Sequence, residues 1–243
     1  MCSILGAVTA TTNMTTILAA GERFRPIVLA GEQTLPVPEA FVAVLPMGGL
    51  VKGTSVDVSG VGATSVSLAL LATTSRLGSW VAFVGTDSLG WAAVAQAGLD
   101  LTRTVSIDRP PTSRWATVTA ALVDAFDVVV VDPQHQVGAT DARRLAARVR
   151  ERGSILMSMR PSDGRRRYRW PVQADLSLTV DDPRWAGLGE GSGHLTERVL
   201  GVSTTGRRSA GRRRRVELRL TVAGIETVIE TTDMSARHLR RVV

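Results

Sequence analysis

The chain predicts an α/β fold: a parallel sheet core flanked by helices, with an antiparallel strand extension at its C-terminal side. Three observations carry that prediction. Between Thr54 and Met159, β-branched segments alternate with helical patterns of about 10–15 residues, the rhythm of a right-handed parallel sheet. Phe126 to Asp132 holds four consecutive valines, Val128–Val131, and a run apolar at every position marks a central strand covered on both faces. Beyond Ala174 the helical period disappears and only strand-like segments follow.

Each element has its own local signal. Residues 1–40 are Thr/Ala-rich with weak periodicity and read as a partly disordered N-terminal segment or a single helix, with Met14 as an alternative initiator. Leu35 to Pro46 contains three prolines and leads into Gly48-Gly49, which suggests a connector ending in a turn. Thr54–Ser59 alternates as a strand. Thr64–Leu77 places Val66, Leu68, Leu70, Leu71 and Leu77 in a helical run closed by Gly78. Trp80–Gly85 reads as a strand, Leu89–Leu99 as a short alanine-rich helix, Val105–Ile107 as a brief strand and Ser113–Val123 as a helix. Asp141–Arg152 is amphipathic, with Ala142, Leu145, Ala146 and Val149 on one face and arginines on the other. Ser154–Met159 is a further buried strand. Ala174–Val180, Val199–Thr205, Val216–Val222 and Glu226–Thr231 read as antiparallel hairpins extending the sheet, and residues 41–232 form one domain followed by a basic tail over 233–243.

Composition narrows the function classes. The 243 residues are 44% hydrophobic, enough for one substantial core. Cys2 is the only cysteine, so no internal disulfide is expected and a reducing cytoplasm is implied. His135, His194 and His238 are scattered, and no metal site or cofactor is expected. No apolar run approaches the roughly 18 residues of a membrane helix. Charge is uneven. Up to Ala142 there are 7 Lys+Arg against 11 Asp+Glu, a net of −4; from Arg143 onward 22 arginines face 11 acids, a net of +11. A basic half of this kind points to an acidic partner, nucleic acid or protein.

The motif with the most chemistry in it is incomplete. A phosphate-binding P-loop joins a strand to a helix and needs four residues between its first glycine and a Gly-Lys-Ser/Thr triplet. Here Gly60 and Gly62 are separated by Val61 alone, and Ala63 stands before Thr64 where the lysine belongs. The missing ammonium removes charge-assisted contacts of about 1.5–3 kcal/mol each. The shortened loop also removes backbone donors.

Leu45-Pro-Met-Gly-Gly-Leu-Val-Lys-Gly53, the glycine turn, Val81–Val84 and Phe126–Asp132 occur in an order that resembles the core of RecA-type recombinases. On that resemblance Asp87 lies near the catalytic glutamate, and Asp132 is the Walker B carboxylate that with Thr64 would face magnesium. Met159 replaces a γ-phosphate-sensing glutamine. Ser59–Leu70, Asp141–Gly153 and Trp185–Leu195 further resemble the actinobacterial ImuA-prime group, RecA-like accessory factors that lack the Walker A lysine. The group implies a role in DNA-damage-induced mutagenic translesion synthesis. Its implied partner is ImuB, an inactive Y-family-polymerase-like protein linked to the sliding clamp and an error-prone DNA polymerase.

Candidate contact residues for DNA or partner are Arg165, Arg166, Arg167 and Arg169, interleaved with Tyr168 and Trp170 in the loop after Met159, where guanidinium and aromatic groups suit a single strand. A second cluster, Arg212, Arg213, Arg214 and Arg215 with Arg207 and Arg208, reads as a mobile charged hairpin tip. Trp170, Trp185 and His194 read as packing residues and Gly187, Gly189, Gly191 and Gly193 as turn residues. The expected protein is a non-catalytic, cytoplasmic RecA-like adaptor that works at the nucleoid and self-associates through its N-terminal segment. The alternatives are a divergent ATPase that recruits Lys52 or a neighbouring subunit's arginine, and a single-stranded DNA-binding module.

Overall fold

A computed structural model describes residues 33–132, 135–162, 168–188, 193–207, 213–221 and 224–231, without the side chains of 229–231. Expectations for residues 1–32 and for the tail from 232 onward lie outside these residues.

Two short strands, β1 (Thr34–Leu35) and β2 (Leu50–Val51), pair antiparallel. The chain then runs β3 (Ser55–Gly60), α1 (Ala63–Arg76), β4 (Val81–Val84), α2 (Trp91–Gln96), β5 (Thr104–Ile107), α3 (Thr112–Ala125), β6 (Val128–Val131), α4 (Ala139–Arg152) and β7 (Ile155–Pro161). It ends in β8 (Leu176–Leu188), β9 (Gly193–Gly206), β10 (Arg214–Thr221) and β11 (Gly224–Thr231). The main sheet has the order β11-β10-β9-β8-β3-β7-β6-β4-β5.

The four valines of β6 behave as their pattern requires. Val128 and Val130 enter the core beneath α1, Val129 and Val131 the core beneath α3 and α4, and all four are fully buried. In α4 the buried residues are Ala142, Leu145 and Val149, while Arg148 and Arg152 reach across to Asp124 of α3. The Arg148 hydrogen bond holds the Asp124 carboxyl at a pKa of about 2. No described helix is long and apolar enough to cross a membrane.

Two local expectations are corrected. Leu35–Pro46 is more than a connector. Its 3-10 turn, Glu39–Phe41, drives Phe41, Val44 and Leu45 to zero exposure under the sheet, so its apolar residues outweigh the proline signal. The helix expected over Leu89–Leu99 is only Trp91–Gln96, bounded by Gly90 and by Gly98 at φ 93°. The C-terminal strands extend the sheet as expected, with β8–β9, β9–β10 and β10–β11 antiparallel, and β8 joins β3 in parallel, Val56 opposite Leu176 and Gly60 opposite Val180. Ser55 and Asp175 fix that junction, the Ser55 hydroxyl donating to the Asp175 carboxylate at 2.8 Å.

Strands β8 and β9 are also 13 and 14 residues long, so Trp185 and His194 sit on a projecting hairpin rather than in loops. Both are exposed, against the packing role expected for them; Trp170 is buried. Gly187 is inside β8 at φ 103°, where a side chain would strike the His194 carbonyl, and Gly193 opens β9. Gly189 and Gly191 lie outside the described residues.

Candidate functional site

The carboxyl ends of β3, β4, β6 and β7 meet at one edge of the sheet, where α/β folds bind ligands. At its centre β3 turns into α1 through Gly60 at φ 111° and Gly62 at φ 97°. Each glycine is required by a neighbour from the hairpin. A Cβ on Gly60 would stand 2.0 Å from the Val180 carbonyl oxygen, and one on Gly62 2.2 Å from Arg198 Nη2. The turn is thus a two-glycine hinge pressed under β8 and β9, not an open cradle.

Ala63, at the lysine position, is the first residue of α1 and has zero exposure, packed into the core beneath α1. Thr64, Asp132 and Met159 do converge, with Thr86, Ser88 and Leu89, around a cavity of about 180 Å³. That is smaller than the roughly 300–1,000 Å³ typical of small-molecule pockets. Asp132 is 2% exposed at the end of β6. Thr64 and Asp132 are the pair that could face a cation, but the chain offers no lysine and no loop to hold a triphosphate beside them, so nucleotide does not fit here. Asp87 is not part of the lining; it forms an ion pair with Arg109 from the loop after β5. Lys52 precedes β3 and therefore lies beyond the opposite end of that strand from Gly60, and β3 alone spans roughly 17 Å from Ser55 to Gly60. It is out of reach as a replacement cation.

The basic candidates separate into three groups. Arg165, Arg166, Arg167 and Arg212 lie outside the described residues, and Arg169 and Arg213 are exposed. Arg214 and Arg215 belong to β10 rather than to a loose hairpin tip. Arg214 donates to the Leu45 carbonyl at 3.0 Å, clamping the buried 39–45 turn. Arg215 pairs with Asp181 at 2.7 Å and donates to Ser203 Oγ. The Asp181 hydrogen bond pushes its pKa up.

Beside Arg169 a second cavity of about 530 Å³ is lined by Trp170, Gln136, Gln173, Asp57 and Arg160. Trp170 is 7% exposed and packs on Trp115 of α3, which in turn meets His135 edge-on at 5.4 Å. The segment that follows the arginine-rich stretch is therefore anchored to the helical layer and to the loop after β6. Desolvation in this cluster pushes the His135 pKa down.

Two residues escaped the sequence reading. Arg160 at the end of β7 makes a forked ion pair with Asp57 on β3, donating from Nε at 2.9 Å. Arg198 on β9 packs against Gly62 and over the Trp185 ring at 4.7 Å. Strand alternation could have found Arg198, because Leu200 and Val202 two and four residues on are buried beneath α1. Trp185 could not be found that way. One extra residue between Asp181 and Arg184 shifts the β8–β9 register, Asp182 taking φ 47°, and turns Trp185 to face Arg198.

The sheet order and the strand–glycine–helix turn at its edge are those of a RecA-like α/β fold. The chain belongs to the MT3502 N-terminal domain family, whose model matches residues 43–164. An uncharacterized protein of Mycobacterium tuberculosis is 34% identical over 97 residues, which cover 40% of this chain and 47% of the relative; the match thus spans about half of that protein's length. Among solved structures, the RadB recombinase superposes with a TM-score of 0.55 at 18% identity, covering 81% of this chain and 100% of RadB. That likeness is one of fold.

Proposed function

We propose that this chain is a non-hydrolysing RecA-like accessory protein of DNA-damage-induced mutagenic translesion synthesis, an adaptor that binds an ImuB-like, polymerase-related partner. Through that partner it reaches the sliding clamp and an error-prone polymerase. The observation that carries the reading is the closed loop: Ala63 is buried in the core, and the space beside Thr64 and Asp132 is about 180 Å³. A recombinase cycles its filament by binding and hydrolysing ATP; a fold without that cycle retains its surfaces. The arginine-rich half supplies a surface suited to an acidic protein segment.

Two measurements test the proposal. Calorimetric titration of the purified chain with ATP and magnesium should detect no hydrolysis. Capture of the purified ImuB-like protein of the same host should succeed. Failure of capture with both proteins folded would refute the adaptor role, and magnesium-dependent turnover of ATP would restore the enzyme reading.

A second reading, single-stranded DNA binding, is favoured by one feature: Arg169 and Arg160 border the 530 Å³ cavity beside anchored Trp170. It predicts salt-dependent affinity that drops when Arg165, Arg166, Arg167 and Arg169 are neutralised together. Loss of partner capture in that variant, with DNA affinity unchanged, would favour the adaptor.

A further inference from the structure

We propose that the chain carries a phosphate-binding site beside the glycine turn, centred on Arg198 and Trp185 of the β8–β9 hairpin. The site is independent of the adaptor role proposed above. Arg198 and Trp185 are directly opposed in the strand register, and the guanidinium lies over the indole at 4.7 Å. With Ser65, Gln96, Thr196 and Glu197 they line a cavity of about 490 Å³, within the size range of small-ligand pockets.

The electrostatics of this cavity are unbalanced. Among the described residues no carboxylate lies within 4.0 Å of the Arg198 guanidinium. Its Nε is buried without a hydrogen-bond partner among the described residues. Glu197, the one acid among the described lining residues, sits 3.5 Å from Arg219 instead. The Arg198 fork also presses on Gly62, the N-cap of a 14-residue helix that no side chain caps. A cation held against the positive end of a helix is repelled there unless an anion lies between them. Desolvation pushes the guanidinium pKa down, in keeping with a charge buried without its counterion.

A phosphate group answers each of these deficits. Its oxygens accept the parallel N–H donors of an arginine fork and the hydroxyls of Ser65 and Thr196, and it favours the end of a helix that repels the guanidinium. The geometry is not that of a P-loop. The cation comes from a strand two hundred residues into the chain, and Thr64, Asp132 and Met159 take no part in the lining. The exposed indole of Trp185 offers a second face to a ring carried by the phosphate, so a nucleotide and a simple phosphate are two sources of the same chemistry.

The test is calorimetric titration of the full chain with pyrophosphate, and separately with ATP, in phosphate-free buffer without metal. Saturable pyrophosphate binding is expected. Arg198→Gln should weaken it by about tenfold or more, the loss of a charged hydrogen-bonding partner. Arg144→Gln, on the exposed face of α4, should leave it unchanged. If ATP binds about tenfold tighter than pyrophosphate and Trp185→Ala removes the difference, the source is a nucleotide; equal affinities make it the phosphate group alone. Should Arg198→Gln fail to fold, Arg198→Lys keeps the charge without the fork and should bind several-fold more weakly. The proposal is overturned if pyrophosphate gives no heat up to about 10 mM, where a Kd near 1 mM would register. It is also overturned if folded Arg198→Gln binds as the wild type does. Partner capture should be untouched by Arg198→Gln, which keeps this outcome separate from that of the adaptor test.

Discussion

Restoring the missing lysine should not restore a nucleotide site. In a full-length P-loop the lysine projects from an eight-residue cradle toward the β- and γ-phosphates. Here the side chain at Ala63 starts from a position of zero exposure, packed with the core residues beneath α1. Ala63→Lys adds three methylenes and an ammonium to that packing. Overpacking alone costs about 1–3 kcal/mol, and threading the ammonium out to water constrains the stem further. A destabilisation of about 3 kcal/mol would lower Tm by roughly 6–12 °C in a domain of this size. Thermal unfolding with magnesium-ATP titration of the same variant measures both effects. A stable Ala63→Lys variant that binds magnesium-ATP with micromolar affinity, also when Arg198→Gln is added, would refute the reasoning, because it would mean that charge, not loop length and burial, had closed the site.

Three further outcomes follow from the geometry. Gly60→Ala should be more damaging than Gly62→Ala in denaturant unfolding. Its Cβ would stand 2.0 Å from a backbone carbonyl that the β3–β8 ladder holds in place, whereas the nearest obstacle at Gly62 is the far end of a flexible arginine. Arg160→Met should cost about 3–5 kcal/mol by leaving the 8%-exposed Asp57 carboxylate without its partner, and Asp57→Asn in the same chain should recover part of that loss. Carboxyl-carbon NMR should place the Asp124 titration midpoint at about 2, moving back toward its ordinary 3.8 in Arg148→Gln. Because the folded pKa is lowered, the pairing supports the fold above the unfolded value and its contribution is lost as pH falls from about 4 toward 2.

The core was legible because its signals are local and redundant. Val128–Val131 could only be a strand covered on both faces, and Leu145 and Val149 could only face inward. The degenerate loop was legible too, since a missing lysine and missing residues are visible in one dimension. What surrounds the loop was not. Trp185 reaches Arg198 only because one extra residue at Asp182–Pro183 shifts the register of β8 against β9, and nothing in the alternation of either strand announces that slip. The roles of Arg214 and Arg215 were hidden for a different reason. A run of four arginines reads as a charged tip, yet the last two stand in β10 and serve the Leu45 carbonyl and Asp181, partners 169 and 34 residues away in sequence.

The same hairpin explains why a nucleotide-loop frame can stand without nucleotide. In a working P-loop, glycines let the backbone approach phosphate oxygens. Here the close approach is internal: the carbonyl of Val180 fills the space over Gly60, and Arg198 with Leu200 fills the space over Gly62. Both residues also sit at positive φ, where a side chain would be strained even with room to spare. The glycine requirement therefore survives the loss of the ligand, because β8 and β9 impose it. Gly60 and Gly62 keep the hairpin seated on α1, and the hairpin holds Arg198 against Gly62. If that coupling is correct, any change that lifts the hairpin, beginning with Gly60→Ala, should loosen Arg198 and weaken pyrophosphate binding without touching a residue that contacts it. A Gly60→Ala variant that unfolds earlier but binds pyrophosphate with unchanged affinity would show that the loop and the arginine are independent.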